Sequence, residues 1–141
     1  MTDLAAAIGR VQLRKAYSFK DSRTDLAKRY NDAFENLAVS LPPNAMDGDT
    51  HSWHLYILQI NEDAPINRDE LISGLQNAGI GCSVHYRPLH QMTYWSKHLN
   101  HHQKFPHADS YFKKCVSLPL FVDMTHEEQD YVIDVIKNML T

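Results

Sequence analysis

The sequence predicts an α+β domain: a small, mostly antiparallel sheet of about three strands, packed by helices and preceded by a long N-terminal helix. Three observations carry that reading. Apolar residues recur at helical spacing between Leu4 and Leu37. Three short apolar runs begin at Trp53, Ile80 and Cys115, and helix-start signatures stand at Asn67 and Thr125. At 141 residues, 43% hydrophobic and 22% charged, the chain has the size and composition of one ordinary folded domain.

The elements follow in order. Thr2 or Asp3 can cap a helix start, with Leu4, Ile8 and Val11 on one face, then Leu26, Tyr30, Phe34 and Leu37. Residues 3–37 therefore read as one helix, with a kink expected near 18–22, where Ser18, Asp21 and Ser22 weaken the propensity. Its first half is rich in small residues (Ala5, Ala6, Ala7, Gly9) that permit close packing on another surface. Leu41-Pro-Pro ends the helical region, and residues 44–50 read as a polar loop. Trp53 to Ile60 is apolar on both faces, the mark of a central strand. Asn67 with Glu70 three positions on forms a capping box, and Gly79 ends the helix that it opens. Ile80 to His85 reads as a second strand, which Pro88 prevents from continuing. After the aromatic- and histidine-rich loop 89–106 come a short helix at 107–114, a strand from Cys115 to Leu120, and a helix opened by the capping box Thr125-His-Glu-Glu128.

A formal net charge of -3 and no basic stripe argue against nucleic-acid binding. No apolar run reaches membrane length, and the N-terminus has no signal-peptide pattern. Cys82 and Cys115, isolated in apolar runs, fit buried thiols in a reducing compartment, so a cytoplasmic location is expected. Among nine histidines, His98, His101 and His102 have helical spacing, but no Asp, Glu or Cys stands with them at ligand spacing, and no metal is expected. Cys82 and His85 point to opposite faces of a strand and cannot act as a nucleophile and base pair. Ser83 and His85 share a face at the strand's end, and Tyr86, Arg87 and His90 follow within reach. These imidazole, phenol and guanidinium groups suit hydrogen bonding to anions and sugar hydroxyls. A purely structural His85 beside a surface loop fits the same pattern.

Four stretches, Met1-Thr-Asp-Leu-Ala-Ala-Ala-Ile-Gly-Arg-Val-Gln-Leu, His51-Ser-Trp-His-Leu-Tyr-Ile-Leu, Val84-His-Tyr-Arg-Pro-Leu-His and Ser117-Leu-Pro-Leu-Phe-Val-Asp-Met-Thr, together resemble the DegT/DnrJ/EryC1/StrS sugar aminotransferases. The resemblance spans essentially the whole chain and is nearest to the branches acting on UDP-linked 4-keto sugars and to spore-coat polysaccharide aminotransferases. It implies that residues 1–141 are the C-terminal small domain of an aspartate-aminotransferase-like fold, with the helix at 3–37 linking to a large domain outside this sequence.

Within that family the large domain holds pyridoxal phosphate (PLP) and supplies its lysine, and no lysine here matches that motif. The implied function is therefore partial. The chain would form part of a PLP-dependent enzyme passing an amino group from an amino acid, expected to be glutamate, to a UDP-4-keto-sugar in cell-surface polysaccharide synthesis. It would be inactive alone and carry no covalently bound PLP. The resemblance assigns substrate-side roles to His85 first, then to Tyr86, Arg87 and His90. It implies a homo-oligomer or a partner large domain, and it leaves a non-enzymatic sugar-nucleotide-binding or dimerisation module as the alternative.

Overall fold

A computed structural model describes residues 1–99 and 104–141. Helix α1 (Asp3–Phe34) is capped by the Thr2 hydroxyl, which accepts the Ala5 N–H. At 32 residues it is about 48 Å long, too long for a domain of this size to cover. Leu26, Ala27, Tyr30 and Phe34 are buried, whereas Leu4, Ile8, Val11, Leu13 and Tyr17 are exposed. Only the C-terminal part of the helix belongs to the core. The helix stops three residues before the expected end because the chain turns there. Leu37 N–H bonds to Phe34 O, and Val39–Ser40 (β1) pairs with the central strand.

That strand, β2 (Tyr56–Ile60), alternates buried and half-buried residues, with Tyr56, Leu58 and Ile60 inward. It lies between β1 and β3 (Cys115–Leu118), and both pairings are antiparallel, with Val39 opposite Ile60 and Tyr56 opposite Leu118. The strand starts at Tyr56 and not at Trp53 for a local reason. Trp53 has a φ of 48°, a left-handed conformation that strains a bulky residue and cannot join a strand. It is held there by the His51 imidazole, whose Nδ1 accepts the Trp53 N–H at 2.9 Å and whose ring lies 4.1 Å from the indole.

The helices α2 (Arg68–Asn77) and α5 (His126–Leu140) both begin with complete capping boxes, at Asn67/Glu70 and Thr125/Glu128. They pack with α1 and the sheet through Leu71 and Leu75, Val132, Ile136 and Leu140, and Tyr30 and Phe34. A short 3-10 turn (Leu89–Gln91), α3 (Thr93–His98) and α4 (Pro106–Lys114) occupy the region read as a loop and short helix. Among the described residues no helix is long and apolar enough to cross a membrane.

Among the described residues, the buried polar groups that join α1 to α5 and to the sheet are paired, while the Arg23 Nε is buried without a partner. Gln129, with no exposed surface, donates from Nε2 to Leu26 O at 2.7 Å and accepts from Arg29 Nη1 at 2.9 Å. Arg29 also reaches Asp130 at 2.8 Å, so one glutamine and one ion pair clamp α1 onto α5. Tyr30 donates to Pro119 O at 3.0 Å and Tyr56 to Asn31 Oδ1 at 2.8 Å, with their rings 4.9 Å apart.

Gln129→Ala removes both bonds and leaves a cavity between the two helices. It is expected to cost about 2–4 kcal/mol, read as a lower urea midpoint at unchanged m value. A loss under about 0.5 kcal/mol, the size of a surface change, would show that the clamp is dispensable. Burial pushes both phenols, Tyr30 and Tyr56, well above the usual value of 10.0. The native state then keeps protons that the unfolded chain releases. Stability is whole below about pH 10 and falls as pH rises beyond it, by about 1.4 kcal/mol per pH unit for each phenol at most. Denaturation midpoints measured from pH 8 to 11 should show that slope, and Tyr30→Phe should reduce it. An equal slope in the variant would mean that Tyr30 ionises without cost.

Candidate functional site

The site is built where α2 ends. Gly79, at a φ of 74°, takes the left-handed position past the helix, where its N–H bonds to Gln76 O and the Ile80 N–H to Leu75 O. This is a Schellman closure, and Ile80 packs into the core beside Leu75 to complete it. Because the Ile80 N–H serves the helix, residues 80–85 do not form the expected second strand. They make one antiparallel bridge, Ser83 with Ser117 of β3, through Ser83 N–H to Ser117 O (3.3 Å) and Ser117 N–H to Ser83 O (2.7 Å). Ser117 stands opposite Ile57 of β2 at a position where its own N–H and C=O face away from that strand. The third strand of the sheet is therefore β1, which a two-residue length hides in the sequence.

The bridge places His85. Its Nδ1 lies 2.8 Å from the buried Ser117 Oγ, and Ser83 Oγ stands 3.5 Å from both ring nitrogens. The exposed Tyr86 ring meets the imidazole edge-on at 4.7 Å across a cis His85–Tyr86 peptide. Arg87 is exposed beside them, and Pro88 starts the turn that carries the chain away from the sheet. His90 lies in a different environment. Its Nε2 is 2.7 Å from Asp109 Oδ1 on α4, its ring stacks on Phe105 at 4.8 Å, and Gln91 donates to the same Asp109 oxygen. The hydrogen bonds from Gln91 and His90 hold the Asp109 carboxyl below the usual carboxylate range. So His85 and Tyr86 are brought together, Arg87 adjoins them in sequence, and His90 is committed to α4.

An apolar pocket of about 390 Å³, lined by Pro88, Leu89, His90, Trp95, Leu99 and Phe105, opens beside this turn. A larger cleft of about 610 Å³ lies elsewhere, between α1 and residues 44–53, with Lys20, Lys28, Asn31, His51 and Trp53 in its wall. None of His85, Tyr86, Arg87 and His90 lines it. His101 and His102 of the histidine cluster fall outside the described residues. Among the described ones no group of three or more His, Cys, Asp or Glu side chains could hold a metal ion. Cys82 and Cys115 are free thiols, and burial raises both above the usual value. Sequence reasoning missed Ser117 and Asp109. The available signal for Ser117 was a single hydroxyl within an otherwise apolar strand, which needs a partner once buried.

The profile of the DegT/DnrJ/EryC1/StrS aminotransferase family matches residues 1–137. The chain belongs to that family. It is 36% identical to the spore coat polysaccharide biosynthesis protein SpsC of Bacillus subtilis, over 99% of this chain and 37% of that protein. To the uncharacterized protein MJ1066 of Methanocaldococcus jannaschii it is 37% identical, over 100% of this chain and 37% of that one. The fold superposes on the putative sugar aminotransferase Spr1654 of Streptococcus pneumoniae, solved in its PMP-form, with a TM-score of 0.89 at 31% identity. That match covers 99% of this chain and 35% of Spr1654. The chain thus spans little more than a third of the length of these family members.

The lysines do not by themselves fit a PLP site. Lys20 is paired with Asp21 at 2.7 Å, and Lys114 with Glu62 at 2.9 Å. Lys15, Lys28, Lys97, Lys104, Lys113 and Lys137 are exposed, none lines the apolar pocket beside His90, and Lys28 stands in the open wall of the larger cleft. An imine-forming lysine needs a sheltered, fixed amine next to the reacting carbon. PLP mixed with the chain and reduced with borohydride is accordingly expected to leave only sparse label scattered over exposed lysines. Stoichiometric label at one lysine would show that this chain holds the cofactor unaided.

Proposed function

We infer that the chain is the C-terminal region of a PLP-dependent nucleotide-sugar aminotransferase. In the whole enzyme an amino group passes from an amino acid, glutamate in this reading, to the keto carbon of a UDP-4-keto-sugar destined for cell-surface polysaccharide. The observation that carries the reading is family membership over residues 1–137. The likeness to SpsC supports the polysaccharide context. The reaction needs a carbonyl chemist, PLP, whose electron-sink character is the cofactor's own contribution. This chain's residues bind and orient. His85, Tyr86 and Arg87 offer an N–H, an O–H and a guanidinium to sugar and phosphate oxygens. His90, tied to Asp109, shapes the adjoining apolar pocket wall.

The exposed stripe of Leu4, Ile8 and Val11 supports the same reading, because apolar residues at that spacing make a face for another protein surface. The surface it fits is the cofactor-bearing domain or a second copy of the enzyme. The second reading, a non-enzymatic sugar-nucleotide-binding or dimerisation module, is favoured by one observation. The lysines are exposed or ion-paired.

A chimera in which this chain replaces the matching third of SpsC separates the two readings. It is expected to transaminate, and His85→Ala in it should lower kcat/KM for the keto-sugar by about tenfold to hundredfold, the worth of one hydrogen bond to a charged group. Unchanged kinetics would return His85 to a structural role. A folded, PLP-loaded chimera with no turnover would favour the non-enzymatic module.

A further inference from the structure

We propose that Ser117 is a positioning residue that fixes His85 as its Nε2–H tautomer, so that the imidazole presents a proton donor to an oxygen of the bound sugar nucleotide. The proposal rests on the reading of His85 as a ligand-facing residue. It adds what that residue offers and what decides it.

The argument starts from hydrogen-bond accounting. Ser117 is 4% exposed, and its N–H and C=O are both taken by Ser83. Its hydroxyl has one partner among the described residues, His85 Nδ1 at 2.8 Å. A neutral imidazole can make that bond in two ways. If Nδ1 carries the proton, it donates to Oγ, and the serine's own proton is left in a buried site without an acceptor among those residues. If Nδ1 is bare, it accepts from the hydroxyl, both groups are satisfied, and the proton lies on Nε2. Stranding a buried hydroxyl carries a penalty equivalent to about tenfold or more in population, so the second arrangement dominates.

The geometry also says what the outer nitrogen can do. Nε2 has no partner nearer than Ser83 Oγ at 3.5 Å, too long for a strong bond. The Tyr86 ring, edge-on at 4.7 Å, restricts the tilt of the imidazole plane. A half-buried donor with a fixed direction suits an anionic or carbonyl oxygen and refuses a ligand hydroxyl that must itself donate. The other familiar use of a serine–histidine pair, with the serine as nucleophile, is excluded by the burial of Ser117 between β2 and residues 80–85.

Long-range proton–nitrogen spectra of the imidazole ring in the 15N-labelled chain, recorded where His85 is neutral, read the tautomer directly. The wild-type chain should show a bare Nδ1 and a protonated Nε2 in about tenfold excess or more. Ser117→Ala should raise the Nδ1–H population severalfold, while Ser117→Thr, which keeps the hydroxyl, should restore the wild-type pattern. Should Ser117→Ala fail to fold, the wild-type and threonine spectra still decide. An Nδ1–H tautomer in the wild-type chain, or populations unmoved in Ser117→Ala, would overturn the proposal. The measurement needs no substrate, so its failure leaves the ligand-facing reading of His85 standing. Conversely, a tautomer that shifts as expected, together with SpsC-chimera kinetics insensitive to His85→Ala, would overturn the functional half and leave Ser117 a structural residue.

Discussion

A three-stranded sheet whose last strand has an open edge must close that edge somehow, and Ser117 is where this one does it. Its neighbour Ile57 fixes it from β2 on one side, and its backbone groups take Ser83 on the other. One residue thereby couples the core strand to the segment leaving α2. Unpaired strand edges are costly when buried; the bridge takes the Ser117 groups and the Arg68 guanidinium takes the Cys115 carbonyl, which leaves the chain free to turn away. His85 lies two residues past the bridge. Its position is inherited from β2 through β3, which are among the best buried parts of the molecule. A side chain placed by a rigid sheet is held better than one placed by a loop, although the residues that follow it are exposed.

Much of this was legible in the sequence, and the reasons for the gaps are physical. Capping boxes read correctly because they are local: Asn67 with Glu70 and Thr125 with Glu128 need only their own four residues. The central position of β2 followed from apolar residues on both of its faces. The strand expected at Ile80–His85 failed because the backbone there has two claims on it. The Schellman closure takes the Ile80 N–H, and periodicity cannot register a hydrogen bond made backward to a helix. β1 was missed for the opposite reason, since Val39 and Ser40 are too few to show alternation. The fold class was nonetheless right, because the sheet found a third strand elsewhere. At the site, the sharing of one face by Ser83 and His85 was readable from alternation. The grouping of His90 with Asp109 was not, because 19 residues and a change of element separate them.

α1 joins two environments. Its C-terminal part is clamped by Gln129 and Arg29, and the Tyr30 ring packs at a tilt against Tyr56, so it behaves as a core element. Its N-terminal part keeps Leu4, Ile8 and Val11 exposed at intervals of four and three. Helix formation starts from a costly nucleus, and continuity with the docked part lets the exposed N-terminal turns propagate from one already formed. A helix continuous across the boundary holds the exposed stripe in a fixed orientation to the core. The family members matched here are nearly three times as long as this chain.

Chemistry divides along the same line. The described residues supply hydrogen-bond donors at one rim: an imidazole anchored through Nδ1, a phenol set against it and a guanidinium beside them. They supply no sheltered amine to form a bond to carbon. Recognition of a polar ligand needs fixed polar groups and an apolar wall. Bond making needs a nucleophile held at the reacting carbon. Among the described residues the first requirement is met by His85 and its neighbours, whereas the lysines, exposed or ion-paired, are not held for the second. The buried hydroxyl of Ser117 stands behind that imidazole, where the nitrogen that carries the proton decides whether His85 presents a donor or a lone pair on its outer side.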